Sequence, residues 1–211
     1  MYYFIEPMLE DDIQAVQAIE HQSFSTPWSA STYRREIRSP ASCRYIVARS
    51  SSTPPPPRAE EPPLPRRMPN FLTTLLASLF PRSSPAASAV YPIVGYGGIW
   101  LTVDEAHVTT IAVDPPYRGH GIGELLINGL IDQAYDLQAQ LLTLEVRLTN
   151  TNAQKLYHKY GFQVVGRRTR YYTDNGEDAL IMSTDSIQTP TYKETLNDLR
   201  RRLYMRLRLG N

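Results

Sequence analysis

The stretch "IAVDPPYRGHGIGELLINGL", Ile111 to Leu130, sets Arg118, Gly119, His120, Gly121, Ile122 and Gly123 where an apolar strand hands over to an amphipathic helix. Three glycines in so short a bend cost backbone entropy, so the chain must turn as only glycine can, or something must approach its backbone closely. Successive main-chain N–H groups leading into a helix N-terminus form an anion site, and Arg118 adds a full charge; a pyrophosphate is the natural guest. The phosphate loop of nucleoside triphosphatases does not fit, because no Lys-Ser or Lys-Thr follows the glycines. A dinucleotide-binding motif fits poorly, since its first glycine should sit earlier and an acidic residue should end the next strand about 20 residues on. The alternative is a loop that needs its glycines only to turn.

The elements around this loop follow from periodicity. Residues 3–8 read as a strand, and Ile13, Val16 and Ile19 mark one face of a helix with acidic residues at its start. A second helix is expected over 31–38. "RYIVARS" and "YPIVGYGGIWLT" read as two strands of a hairpin with an oversized loop, followed by the strand "EAHVTTIAV", the glycine bend, and a helix to about Leu137. In "LLTLEVRLT", Leu142, Leu144 and Val146 share one face while Thr143, Glu145 and Arg147 share the other. "NAQKLYHKY" is a helix ending at Gly161, and "FQVVGR" and "EDALIMS" are the last strands. The order implies a mixed α/β sheet, mostly antiparallel, flanked by helices. The crossover helix forces a parallel pair in its middle.

Composition narrows the class. The 211 residues carry a net charge of +1 and one cysteine, Cys43, so no intramolecular disulfide forms and no Cys/His cluster has structural-zinc spacing. The start "MYYFIEPMLEDD" lacks a basic n-region, and no apolar run reaches about 18 residues. No transmembrane segment and a cytoplasmic location are expected. Residues 50–92 hold 11 of the 17 prolines and form a Pro/Ser-rich insert. Within it "NFLTTLLASLF" (70–80) reads as a weakly structured stretch or a short docking helix. From Thr189 on there are six Lys/Arg against two Asp/Glu. Thr191 and Glu194 have capping-box spacing, and Leu196, Leu199, Leu203 and Leu207 recur at helical intervals. Residues 189–211 are thus a basic amphipathic extension to a domain spanning 1–188. Its helix has three readings: packed on the protein's own surface with its arginines in water, in contact with RNA through them, or on an anionic membrane surface.

The glycine stretch resembles the acetyl-CoA signature of the GCN5-related N-acetyltransferase (GNAT) superfamily, and "LEVRLTNTNAQKLYHKYGF" resembles its next block. Within it, "SFSTPWS", "LEVR" and "GRRTRYYTDNGEDALIM" are similar to the bacterial ribosomal-protein-alanine N-acetyltransferases. The match covers roughly 1–49 and 93–185, leaving out the insert and the tail. The resemblance implies the GNAT fold, with the parallel pair at the acetyl-CoA site, and direct transfer of acetyl from acetyl-CoA to an amine, with no acyl-enzyme and no metal. Arg118 to Gly123 would hold the pyrophosphate, while Ile111, Ala112 and Val113 would pair with the pantetheine arm and polarise the thioester. Asn150 would hydrogen-bond that arm. Glu145 is the implied base, its pKa raised by poor solvation; a salt bridge to Arg147 is the alternative. Tyr157, two turns after Asn150, is the implied acid for the leaving thiolate; a packed core tyrosine is the alternative.

Tyr171, Tyr172, Glu177 and Asp178 are expected near the acceptor or simply in solvent, Trp28 as a packing anchor, and His107 and His120 as weak catalytic candidates. The implied substrate is the N-terminal amine of a ribosomal protein, with alanine first; ribosomal RNA is the partner that the RNA reading of the tail helix would give its arginines. An acetyltransferase for lysine side chains or a small amine, and a non-catalytic acetyl-CoA-binding scaffold, are the competing functions.

Overall fold

A computed structural model describes residues 1–54 and 91–209. The "NFLTTLLASLF" segment and most of the insert lie outside the described residues. Seven strands form one sheet: β1 (Tyr2–Pro7), β2 (Cys43–Ser51), β3 (Ile93–Thr102), β4 (Glu105–Val113), β5 (Leu141–Arg147), β6 (Phe162–Tyr172) and β7 (Glu177–Thr184). Their order is β1-β2-β3-β4-β5-β7-β6, and every neighbouring pair is antiparallel except β4 and β5. The helices are α1 (Ile13–Ser23), α2 (Ala30–Ile37), α3 (Ile122–Asp136), α4 (Thr151–Lys159) and α5 (Pro190–Leu209).

Two apolar cores cover the two faces of the sheet. One joins Val16 and Ile19 of α1 and Tyr33 of α2 to Val47 and Tyr96. The other joins the apolar stripe of α3, from Ile122 to Ala134, to Leu142, Leu144 and Val146 of β5, Tyr157 of α4 and Leu196 of α5. β4 serves both. Its pairing with β3 steps from Gly98↔Thr110 to Ile99↔Val108, leaving Thr109 as a bulge. The extra residue flips the pleat, so Val108 belongs to the α3 core and Ala112 to the α1 core.

Beside that bulge the sheet divides. β4 and β5 pair only through Glu105↔Leu141, Ala106↔Leu142 and His107↔Thr143, whereas β5 stays paired to β7 as far as Arg147↔Ala179. The unpaired lengths of β4 and β5 splay apart and leave a cleft.

Two boundaries differ from the sequence reading. β6 runs past Gly166 to Tyr172, with two register irregularities on the way. It is an edge strand exposed over most of its length, so no apolar alternation marks it. At α5 the cap is Thr189, whose Oγ1 accepts from Tyr192 N at 3.2 Å, with Pro190 opening the helix; the Thr191–Glu194 box is not the start. Proline suits a first helical position because its missing N–H would lack an intrahelical partner there anyway.

Helix α5 lies along α3. Leu196 and Leu203 are buried. Arg200 is not in water: its guanidinium donates to Asn128 Oδ1 at 3.1 Å and pairs with Asp132. Arg206 pairs with Glu124 at 2.7 Å. Among the described residues no helix is long and apolar enough to cross a membrane.

Candidate active site

A cleft of about 450 Å³ opens where β4 and β5 part, lined by His107–Ile111, Leu144–Arg147, Asn150, Tyr157, the α1–α2 loop and the β6–β7 turn. Past the cleft-lining part of β4 the chain runs into a loop whose facing groups are main chain. Gly119 and Gly121 hold φ of 82° and 83°, the left-handed region that residues with a Cβ rarely adopt. Nothing stands within 4 Å of where a Gly119 Cβ would be, and α3 begins at Ile122 without a side-chain cap. Free N–H groups, a helix dipole and open space fit a diphosphate. The Ile122 side chain is buried in the core, so only its main chain faces the loop. A Cβ on Gly123 would stand 3.3 Å from Leu156, so this glycine lets α4 approach α3.

Two loop side chains behave differently from expectation. Arg118 donates from Nε to Val113 O at 3.1 Å and from Nη2 to Ser23 Oγ at 3.3 Å, bracing the loop against β4 and α1. His120 is exposed and folds its Nδ1 back onto the carbonyls of Tyr117 and Arg118. From the other direction α5 closes on the loop: a Cβ on Gly121 would meet Leu207 at 3.3 Å and Leu203 at 3.4 Å.

Along β4, Asp114 N donates to Val94 O, and antiparallel alternation then turns the polar groups of Ala112 toward Tyr96 of β3. Ile111 and Val113 point theirs the other way, toward the open side. Of the three expected edge residues, these two turn main chain to the open side; Ile111 lines the cleft, and the Val113 carbonyl is already taken by Arg118.

Glu145 is nearly enclosed, with 8% of its side chain exposed. Oε2 lies 3.1 Å from His107 Nε2, and Oε1 lies 2.9 Å from Arg168 Nε. The hydrogen bond from His107 holds its carboxyl below the usual value and outweighs burial, which acts in the opposite direction. This reverses the expected rise, which counted desolvation without the cations supplied by β4 and β6. The salt bridge to Arg147 does not form. Arg147 turns instead to Asp174 (2.8 Å) and Glu177 (3.1 Å) and stacks 3.8 Å from the Tyr172 ring centre.

Tyr157 is 6% exposed, and burial raises the pKa of its hydroxyl. No hydrogen bond engages that hydroxyl among the described residues, yet no buried side-chain polar atom is left unpaired. The ring is therefore packed while the oxygen reaches the cleft. Asn150 caps α4 through Oδ1, which accepts from Ala153 N at 3.2 Å, and lines the cleft as well.

At the far end, Tyr171, Tyr172 and Asp174 line the cleft, and Ser25 Oγ donates to Asp174 Oδ2 at 2.8 Å across its mouth. Glu177 accepts from Thr149 N, which with Arg147 holds its carboxyl down to about 2. Asp178 is held by Arg167 and the Arg170 N–H and does not line the cleft. Trp28 packs on Tyr33 and also lines the cleft, so anchor and wall are one residue. Cys43 is buried, and burial pushes its thiol up.

The sequence reading missed Glu20. It is 2% exposed and accepts from Trp28 N at 2.9 Å and from the hydroxyls of Tyr33 and Tyr96, at the cleft wall. Its spacing held a signal: Glu20 stands seven residues after Ile13, on the buried stripe of α1.

The model of the Acetyltransferase (GNAT) family matches residues 59–162. The chain is 33% identical over 178 residues to a Bacillus subtilis protein provisionally assigned as a [ribosomal protein bS18]-alanine N-acetyltransferase, covering 84% of this chain and 92% of that one. It is also 33% identical over 181 residues to a Mycobacterium tuberculosis N-alpha-acetyltransferase, RimI, covering 83% and 87%. In fold it is similar to the crystal structure of the ribosomal-protein-S18-alanine N-acetyltransferase from Escherichia coli, with TM-score 0.61 and 24% identity over 87% of this chain and 94% of that one.

Proposed function

The chain belongs to the acetyltransferase (GNAT) family, and from that premise we propose that it moves the acetyl group of acetyl-CoA to the N-terminal amine of a ribosomal protein whose first residue is alanine. The observation that carries this reading is the split between β4 and β5, with Glu145 and the Tyr157 hydroxyl both at the cleft it opens and the glycine loop following β4 in the chain. The name of the Bacillus subtilis relative supports this acceptor, and that of the Mycobacterium tuberculosis relative supports an N-terminal amine. A ribosomal acceptor implies work in the cytoplasm.

Acetyl-CoA supplies an activated acyl group, and the chain's residues supply the rest. The N–H groups leading into α3 hold the pyrophosphate. The main chain that Ile111 and Val113 turn to the open side of β4 would orient the pantetheine arm, and Asn150 would donate to it from Nδ2. An α-amine has a pKa near ~7.7–8.0, so Glu145 needs to remove one proton from a group already partly neutral at pH 7. The amine nitrogen bonds to the acyl carbon as the carbon–sulfur bond breaks. Tyr157, kept protonated by burial, donates to the leaving sulfur.

An acceptor lysine or small amine is the second reading. The carboxylates of Asp174 and Glu177, already paired to Arg147, do not discriminate between these cations. A non-catalytic scaffold would have no use for an unengaged tyrosine hydroxyl at the cleft. Contact with ribosomal RNA rests on Arg201 and Arg202 alone among the described tail arginines, because Arg200 and Arg206 are engaged by α3. The deciding experiment is mass spectrometry of peptides incubated with enzyme and acetyl-CoA. Acetylation at the N-terminal nitrogen of an Ala-first ribosomal peptide is expected. Modification only at lysine would transfer the assignment to the second reading, and no modification of any amine would leave the scaffold.

A further inference from the structure

His107 stands on β4 at the last residue paired to β5, at the point where the cleft opens. Nδ1 lies 3.0 Å from Thr143 Oγ1, and Nε2 lies 3.1 Å from Glu145 Oε2. Thr143 Oγ1 gives its one hydrogen to Glu105 Oε1 at 2.5 Å, so toward His107 it can only accept. Nδ1 therefore carries a hydrogen. Nε2 faces a carboxylate oxygen, and two lone pairs would oppose each other there if neither atom were protonated. As built, the contact holds one proton, on Nε2 or on Oε2.

We propose that His107 and Glu145 form a single proton-accepting unit, and that the proton leaving the acceptor amine ends in the bond between them. In the accepting form Glu145 is ionised and His107 is neutral, with its hydrogen on Nδ1 toward Thr143. Uptake of one proton replaces the opposed lone pairs by an Nε2–H–Oε2 hydrogen bond, which makes the pair a better acceptor than a lone carboxylate. The balance closes: the amine loses one proton to the pair as the carbon–nitrogen bond forms and the thioester opens. The sulfur takes the Tyr157 proton, and the pair returns its proton to the tyrosine or to solvent.

The groups around the pair set its titration. Glu105 on β4 acts through Thr143 and favours the protonated form. Arg168 on β6 binds the other oxygen of Glu145 and favours the deprotonated form. Tyr171 and Tyr172 of β6 and Glu20 of α1 line the same cleft, each uncharged or already holding its own donors.

This inference rests on the proposed acetyl transfer, and its test has an arm that does not. In the first arm, kcat/KM for an Ala-first peptide is followed from about pH 5 to 9. Wild type needs both a neutral amine and a deprotonated pair, so log kcat/KM falls with a slope of two on the acid limb of the profile. His107→Gln leaves a lone carboxylate, and the slope there becomes one, at a rate roughly tenfold or more lower at pH 7.5. A purely structural role would lower the level and keep the shape, so an unchanged slope overturns the proposal. In the second arm, the His107 ring is titrated by NMR in the protein without substrate. Glu145→Gln should move its midpoint to lower pH, and an unchanged midpoint also overturns it. If wild type acetylates no peptide, the functional reading falls while the NMR arm still judges the pair. If His107→Gln does not fold, His107→Asn replaces it.

Discussion

On the glycine-loop side, the groups offered to the proposed cosubstrate are N–H donors of residues 119–123 and the main chain of Ile111 and Val113, presented by a helix start and a divided sheet. At the opposite end they are side chains: Arg147 with Asp174, Glu177 and Tyr172, and Ser25 reaching over to Asp174. A main-chain site depends on backbone shape and tolerates few changes of residue. A side-chain site can be redrawn one residue at a time. The first suits a guest that never varies, and the second a guest that does.

The largest effects belong to the groups between the two ends. Tyr157→Phe keeps the packed ring and removes one hydroxyl, so acetyl-CoA affinity should hold while turnover falls about 10²-fold or more. Turnover within about threefold of wild type would end the donor role. Glu145→Gln should lower the rate at pH 7 by roughly one to two orders of magnitude. The sign of its pH dependence follows from the acceptor: as pH rises past ~8 the amine deprotonates unaided and the deficit should shrink. A deficit constant from pH 6 to 9 would place the base elsewhere.

A matched pair of variants then separates the two ends. Gly121→Ala puts a Cβ on a residue at φ 83° and 3.3 Å from Leu207. It should weaken acetyl-CoA binding about tenfold and leave the acceptor KM nearly unchanged, with strain of ~1–2 kcal/mol as the cause. Arg147→Met should do the reverse, raising the acceptor KM by roughly tenfold while calorimetry finds the same acetyl-CoA affinity. If both variants alter both constants, the two ends are mechanically one site and the contrast fails.

The same contrast explains what the sequence could disclose. Alternation wrote β5 into the chain, and Arg-x-x-Gly-x-Gly wrote the loop, because main-chain sites need particular residues at particular spacings. Ion pairs carry no such spacing. Nothing near Glu145 in sequence announces His107 or Arg168, which meet it through the His107↔Thr143 register and the path of β6. The nearest cation, Arg147, was the natural partner to expect, and the β6–β7 turn claims it instead. Edge exposure hid the true length of β6. For α5, the leucine stripe was legible, but which arginines face α3 depended on how the helix settled.

That settling leads to the smallest effects. Arg200 is paired to Asp132 and donates to Asn128, with 23% of its side chain exposed. Arg202 is exposed, and among the described residues Arg201 pairs only with Asp198 of its own helix. Arg200→Gln should therefore lower the melting temperature by about 2–4 °C, as expected for a partly buried, charge-assisted contact in a chain of this size. The double variant Arg201→Gln, Arg202→Gln should melt with wild type and acetylate a short peptide at the wild-type rate. Its one expected change is in RNA affinity: every phosphate that an arginine no longer neutralises flattens the log–log salt dependence by ~0.7–0.9. A salt titration against ribosomal RNA reads this directly. Equal slopes for the double variant and wild type would remove RNA as a partner of the tail. They would leave α5 as a helix whose arginines serve α3 and the glycine loop beside it.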